Sequence, residues 1–262
     1  MRIFDCFIFH NEWDILEIRL RELYDVVDKF VIVTGRFTFQ GAHVNERWTA
    51  EQVERFRPWM DKVYVYDEFN NGKNFTPWDR ERTQRNGIAV ALEDLGAEGH
   101  DVIIISDADE IPRAESLVSM VRFVDEPMFM GLPAFYSAID VRADHEHTIR
   151  VLKYRDLTTP QEIREKMPKR GLWDAGWHFS YLGDIEQMQS KIRSYAHKEF
   201  NKPRNLDTKA MQDRIRNLEP VWGGHKEKFE VVPITNRWPR AIRNDRDKWR
   251  KYEWKQLVSS FQ

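Results

Sequence analysis

The chain has 262 residues, 41 Lys+Arg against 43 Asp+Glu and 41% hydrophobic content, which fits a soluble globular protein long enough to bury a substantial core. No apolar run approaches the roughly 18 to 20 residues that a membrane span needs, and MRIFDCFIFHNEWD sets acids and an asparagine where a secretory signal is apolar, so a cytoplasmic protein is expected. Cys6 is the only cysteine, which excludes an intramolecular disulfide and a cysteine-based zinc cluster.

The charge is unevenly spread. Residues 1–140 hold 15 Lys+Arg against 26 Asp+Glu, and residues 141–262 hold 26 against 17. Either the basic half handles an anionic substrate or surface, or the two halves attract each other across an interface.

IFDCFIF (3–9) reads as a first buried strand, with His10, Asn11, Glu12 and Trp13 in a polar loop at its end. Ile15, Ile18, Leu23 and Val26 predict a helix next. KFVIVT (29–34) and KVYVYD (62–67) are the second and third strands. Strands alternating with helical segments predict an α/β fold, a mostly parallel central sheet with right-handed crossovers and helices on its flanks. Residues 35–45 read as an ordinary loop, although Arg36, Phe37, Thr38, Phe39, Gln40 and His43 can reach a ligand from it. A helix from about Trp78 to Leu95 is marked by Thr76 as cap, Pro77 at the first position, Asp79 as capping-box acid and Gly96 as stop. Arg82, Arg85, Asn86 and Ala89 share one of its faces; Arg85 and Asn86 are placed to brace the next strand or touch a nucleotide, while Arg80, Glu81 and Arg82 read as a solvated surface.

That next strand is the chain's most informative stretch, VIIISDADEIPR (102–113). Its β-branched run suits a strand buried on both faces, and Asp107, Asp109 and Glu110 fall just past its carboxyl end, where open α/β sheets bind ligands. Carboxylates this close repel, so a cation or shared proton is the natural relief, and magnesium or manganese suits oxygen ligands that leave room for substrate phosphates. A metal-bridged diphosphate site is the hypothesis. The alternative is that the acids merely cap or solubilise the next helix; with Pro112 at its first position Ile111 would be the cap, for which isoleucine is poor.

A helix then runs to about Phe123, residues 128–141 and 149–154 read as strands, and Thr159, Pro160 and Glu162 open a short helix. In GLWDAGWHFSYLGDIEQMQSKIRSYAHKEF (171–200), Gly171, Gly176 and Gly183 suggest a tightly turned loop before a helix striped by Ile185, Met188, Ile192, Tyr195 and Ala196. Asp184 at its start is either a helix cap or, with Glu186, a carboxylate that takes a proton from an acceptor hydroxyl. Trp173 and Trp177 can stack on a sugar or belong to the core. His178, His197 and His225 are the histidines suited to complete a metal shell or act as a base. From Arg237 onward the chain is basic and tryptophan-rich, which suits a helix packed back on the domain, a phosphate-bearing acceptor or a peripheral membrane contact.

DCFIFHNEWDILEIRLRELYDVVDKFVIV, the Arg85-Asn86 helix, IIISDADEIPR, and GWHFSYLGDIEQ through AHKEFN, in this order from about residue 4 to 201, resemble glycosyltransferase family 17, typified by the β-1,4-mannosyl-glycoprotein 4-β-N-acetylglucosaminyltransferases. The resemblance implies a GT-A-type Rossmann-like fold, a nucleotide-sugar donor (a UDP-sugar), a divalent cation (Mn or Mg), a glycan or other hydroxyl acceptor, and inversion at the anomeric carbon. It implies metal and diphosphate contacts from Asp107 and Asp109, a metal or phosphate contact from His197 with His178 second, and a base at Asp184 with Glu186 as rival; donor contacts are expected from Asn11, Glu12, Thr34, Arg85, Asn86, Asp107 and His178. Thr34-Gly35 stands where the family pattern has Glu-Ser. A single domain over 1–262 follows, with 1–125 binding the nucleotide sugar, 126–236 serving acceptor and catalysis, and 237–262 forming a C-terminal helix.

Two rivals remain. A nucleotidyltransferase that makes sugar nucleotides would share the sheet and acids but wants a glycine-rich loop with a basic residue after the first strand, where FHNEWD stands. A non-catalytic carbohydrate- or nucleic-acid-binding module would retain the basic half and not need the acids.

Overall fold

The computed structural model of the protein describes residues 1–44, 48–223 and 229–261. The elements follow in the order β1 (Ile3–Phe9), α1 (Trp13–Leu23), β2 (Lys29–Gly35), α2 (Ala50–Phe56), β3 (Val63–Glu68), α3 (Pro77–Asp94), β4 (Val102–Asp107), β5 (Glu110–Pro112), α4 (Ala114–Val121), β6 (Met128–Tyr136) and β7 (Val141–Lys153). After them come α5 (Pro160–Glu165), β8 (Arg170–Leu172), β9 (Gly176–Ser180), α6 (Ile185–Ser194), α7 (Pro203–Leu206), α8 (Thr208–Arg216), β10 (Glu230–Val231), α9 (Arg240–Asn244), α10 (Arg246–Trp249) and α11 (Trp254–Ser259).

One sheet runs β3-β2-β1-β4-β7-β6-β9-β5, with β10 on β7 and β8 on β6. Its first four strands are parallel; the apolar runs of β1, β2 and β4 suit strands covered on both faces, and β3 is the half-exposed edge. Beyond β4 the pairing turns antiparallel through β7 and β6 and mixed at β9. This is the α/β arrangement expected, helices flanking a sheet whose acid-bearing strand lies in its interior. The order reverses between β1 and β4: the chain steps outward through β2 and β3, then returns over α3 to the other side of β1. A crevice opens at such a reversal, beyond the carboxyl ends of the two strands, and it is there that α/β sheets bind ligands.

Local chemistry sets the crossover. Thr76 and Asp79 form the reciprocal capping box, Pro77 opens α3, and Gly96 at φ +60° ends it. Three expectations are corrected. Pro112 closes the short strand β5 instead of opening a helix, and Arg113 takes the position before α4. Residues 176–180 form a fully buried strand in place of a loop; a β-carbon on Gly176 would stand 2.2 Å from the Ile111 carbonyl, so the glycine marks close strand approach and not a turn. The C-terminal stretch is three short helices, because Asp245 and Glu253 adopt non-helical backbone between them.

The charge asymmetry is met within the fold. Lys248 pairs with Glu17, Lys251 with Asp14 at 3.3 Å, and Arg240 with Asp25 at 3.2 Å and Glu115 at 3.4 Å. These contacts lay the C-terminal segment along α1 and α4, with Trp249 wholly buried beneath it. Among the described residues no helix is long and apolar enough to cross a membrane.

Candidate active site

The acids of the β4 turn face a cavity of about 470 Å³ at the β1/β4 crevice. Asp107 receives Arg85 at 2.7 Å and Arg164 at 3.5 Å. Burial alone would raise its carboxyl, but the two guanidinium groups outweigh it and hold Asp107 at about 2. Asp109 receives Lys191 at 2.7 Å and lies 3.6 Å from His178 Nε2. Burial opposes its ionisation too, and the Lys191 charge overrides it, so Asp109 stays ionised far below the usual carboxylate range. Glu110 accepts from the Asp107 amide at 2.8 Å and from Arg164 at 2.5 Å, yet burial prevails and its carboxyl is raised.

β7 and β9 supply the floor. His147 on β7 and His178 on β9 stand with ring centroids 4.0 Å apart, and burial with its histidine neighbours pushes His147 down to about 3, so it is a neutral imidazole. His178 Nδ1 is buried with no hydrogen-bond partner. A second space of about 100 Å³ continues the cavity toward Asn11 and Phe37. The two share His10, Glu12, Phe39, Gln84, Tyr181, Lys191 and Tyr195 in their linings.

The structure brings Glu12, Arg85, Asp107, Asp109, His178 and His197 to the large cavity and Asn11 to the small one. Glu12 lies 3.6 Å from Lys191 and accepts the backbone amides of His10 and Asn11. Thr34 is elsewhere: it is buried and donates to Asp67 at 3.0 Å. Asn86 accepts the Gln161 amide at 3.0 Å and so ties α3 to α5. Asp184 and Glu186 are exposed and outside both linings. Asp184 caps α6, accepting the Gln187 amide at 2.8 Å, so the ordinary use of a helix-start carboxylate prevails. His197 stands at the cavity edge, 46% exposed, with Nδ1 2.7 Å from Glu199 and its ring edge-on to Trp78. His225 lies outside the described residues.

Arg164, Lys191, His147 and Glu81 were not legible as site residues. The first three arrive from α5, α6 and β7 by pairing over long sequence separations. Glu81, expected in solvent, turns into the cavity because Arg85 takes it at 2.9 Å.

Among the described residues no three His, Cys, Asp or Glu side chains form a metal shell. The donor set nevertheless suits a divalent ion held mainly by substrate phosphates and water, for which one or two carboxylates suffice. Asp107, its side chain 35% exposed, and Asp109 offer that pair at the cavity wall.

Paired acids, arginines and a lysine around a crevice at the strand reversal define an α/β protein of the kind that binds a charged ligand beyond its strand ends. The chain belongs to glycosyltransferase family 17, whose sequence profile matches residues 1–239. It is 32% identical over 126 residues to the beta-1,4-mannosyl-glycoprotein 4-beta-N-acetylglucosaminyltransferases of Rattus norvegicus and Homo sapiens. Each match covers 45% of this chain and 23% of the relative. Among solved structures, a 4-diphosphocytidyl-2C-methyl-D-erythritol synthase aligns over 67% of this chain and 89% of its own, at 18% identity and a TM-score of 0.41. The glucosyl-3-phosphoglycerate synthase of Mycobacterium tuberculosis aligns over 92% and 91%, at 11% identity and 0.37.

Proposed function

We propose that the protein transfers N-acetylglucosamine from a UDP-sugar to a hydroxyl of a glycan, with inversion and with a manganese or magnesium ion. The observation that carries this is the clustering of Arg85, Arg164 and Lys191 with Asp107 and Asp109 on one cavity wall. Three cations there suit a diphosphate, and two ionised acids suit the ion that accompanies it. The donor sugar follows the relatives' names. When bound, the divalent ion adds positive charge beside the departing diphosphate.

The chain's own groups do the rest. Arg85 and Lys191 keep Asp107 and Asp109 ionised at any physiological pH. Arg164 and Lys191 are placed to receive negative charge as the glycosidic bond breaks, the kind of preorganised stabilisation that contributes most to catalysis. Glu81 is the carboxylate suited to take the acceptor's proton. It lines the cavity, burial raises its carboxyl, and Arg85 orients it, whereas Glu110 already uses one oxygen on a backbone amide and the other on Arg164.

The test is nucleoside diphosphate release from a panel of nucleotide sugars with manganese, with and without glycan acceptors. Release from UDP-N-acetylglucosamine above the other donors, stimulated by an acceptor, is expected. Release from no nucleotide sugar would refute sugar transfer at this cavity.

A further inference from the structure

The acid turn is held from behind by a residue that never reaches the cavity. Arg19 on α1 is wholly buried and absent from both linings. Its Nη1 donates to the carbonyls of Asp107 at 2.9 Å, Ala108 at 3.2 Å and Glu110 at 2.8 Å. Nη2 donates to Ser106 Oγ at 2.6 Å and, with Nε, to the two carboxylate oxygens of Asp5 on β1 at 2.5 and 2.7 Å. The guanidinium lies 4.2 Å over the Phe7 ring, which fixes its plane. The remaining carbonyl of the turn, that of Asp109, accepts the Phe179 amide at 2.9 Å.

We propose that Arg19 is a positioning residue for the site: Asp5 and Phe7 aim its planar fork at the three carbonyls of the acid turn, and this sets where the Asp107 and Asp109 carboxylates stand at the cavity. The chemistry requires arginine. Its donors sit on three nitrogens in a rigid plane, so the Asp5 pair and the turn are engaged at once, whereas a lysine presents all its donors on one atom. A displacement of about 1 Å in a catalytic group is enough to cost on the order of 10²-fold in rate.

The experiment uses Arg19→Lys and the double variant Asp5→Leu with Arg19→Met, which removes both buried charges together and leaves neither unpaired. Hydrogen exchange is followed in peptides covering 104–112 and 29–35, beside donor turnover, whose use rests on the sugar-transfer function proposed above. In both variants exchange in 104–112 is expected to rise at least about tenfold with 29–35 unchanged, and kcat to fall about 10²-fold with KM changing far less. Unchanged exchange in 104–112, or an equal rise in both peptides, would overturn the assignment, the latter because it marks Arg19 as general ballast. Arg19→Lys keeps the buried charge and carries the test if the double variant does not fold. If the wild-type chain turns over no nucleotide sugar, the sugar-transfer function fails while the exchange result still decides the role of Arg19.

Discussion

The Lys191 ammonium stands 2.7 Å from Asp109 and 3.6 Å from Glu12, joining α6 to the ends of both β4 and β1. Among the described residues it is the lysine or arginine that lines both parts of the cavity. Lys191→Met would leave the Asp109 carboxylate almost wholly buried without its partner. A loss of about 3 kcal/mol in stability is expected by chemical denaturation, since breaking a buried pair leaves an uncompensated charge. Donor turnover is expected to fall about 10²- to 10³-fold. A variant with native turnover would remove Lys191 from the site.

Two carboxylates should separate in kinetics. Glu81→Gln is expected to lower kcat by about 10²- to 10⁴-fold at an unchanged donor KM. Asp184→Ala should leave kcat within about twofold and cost about 1 kcal/mol in stability, because it deletes only a helix cap. The reverse pattern would return the base to the start of α6.

Acid should destabilise the fold in two windows. His147 is held down to about 3, while an unfolded histidine protonates near 6.5, so the unfolded state binds more protons between those values and stability falls as pH drops through them. Asp109 is depressed as well, and its contribution is present above about pH 4 and lost below. Glu110, being raised, works in the opposite sense. Denaturant titrations of wild type and His147→Gln from pH 4 to 7 should show the variant losing less stability on acidification. Parallel curves would mean His147 is charged in the fold.

Chelation separates the cation from the side chains. Turnover should be lost in a chelator and restored by manganese, whereas thermal stability without nucleotide should be unaffected, since the described residues form no closed metal shell. A melting temperature lowered by chelation would point to a structural ion.

Three strands of the parallel half were legible because VIIIS, KFVIVT and IFDCFIF are short, largely β-branched or aromatic apolar runs of the length and composition that suit a doubly covered strand. The α3 ends were legible from Thr76, Asp79 and Gly96, whose effects are local. β9 was misread since a glycine flanking tryptophan signals a turn unless the opposing Ile111 carbonyl is known. The site divides in the same way. Asp107, Asp109 and Arg85 follow from one strand and the helix before it. Arg164, Lys191 and His147 depend on how α5, α6 and β7 fold back, and no local pattern in their own segments announces it.

The most direct measurement is a crystal structure with UDP and manganese, using the anomalous signal of the metal. An anomalous peak coordinated by Asp107 or Asp109, with the diphosphate contacted by at least one of Arg85, Arg164 and Lys191, is the expected result. Nucleotide bound elsewhere, or diphosphate and metal seated without either carboxylate, would contradict it.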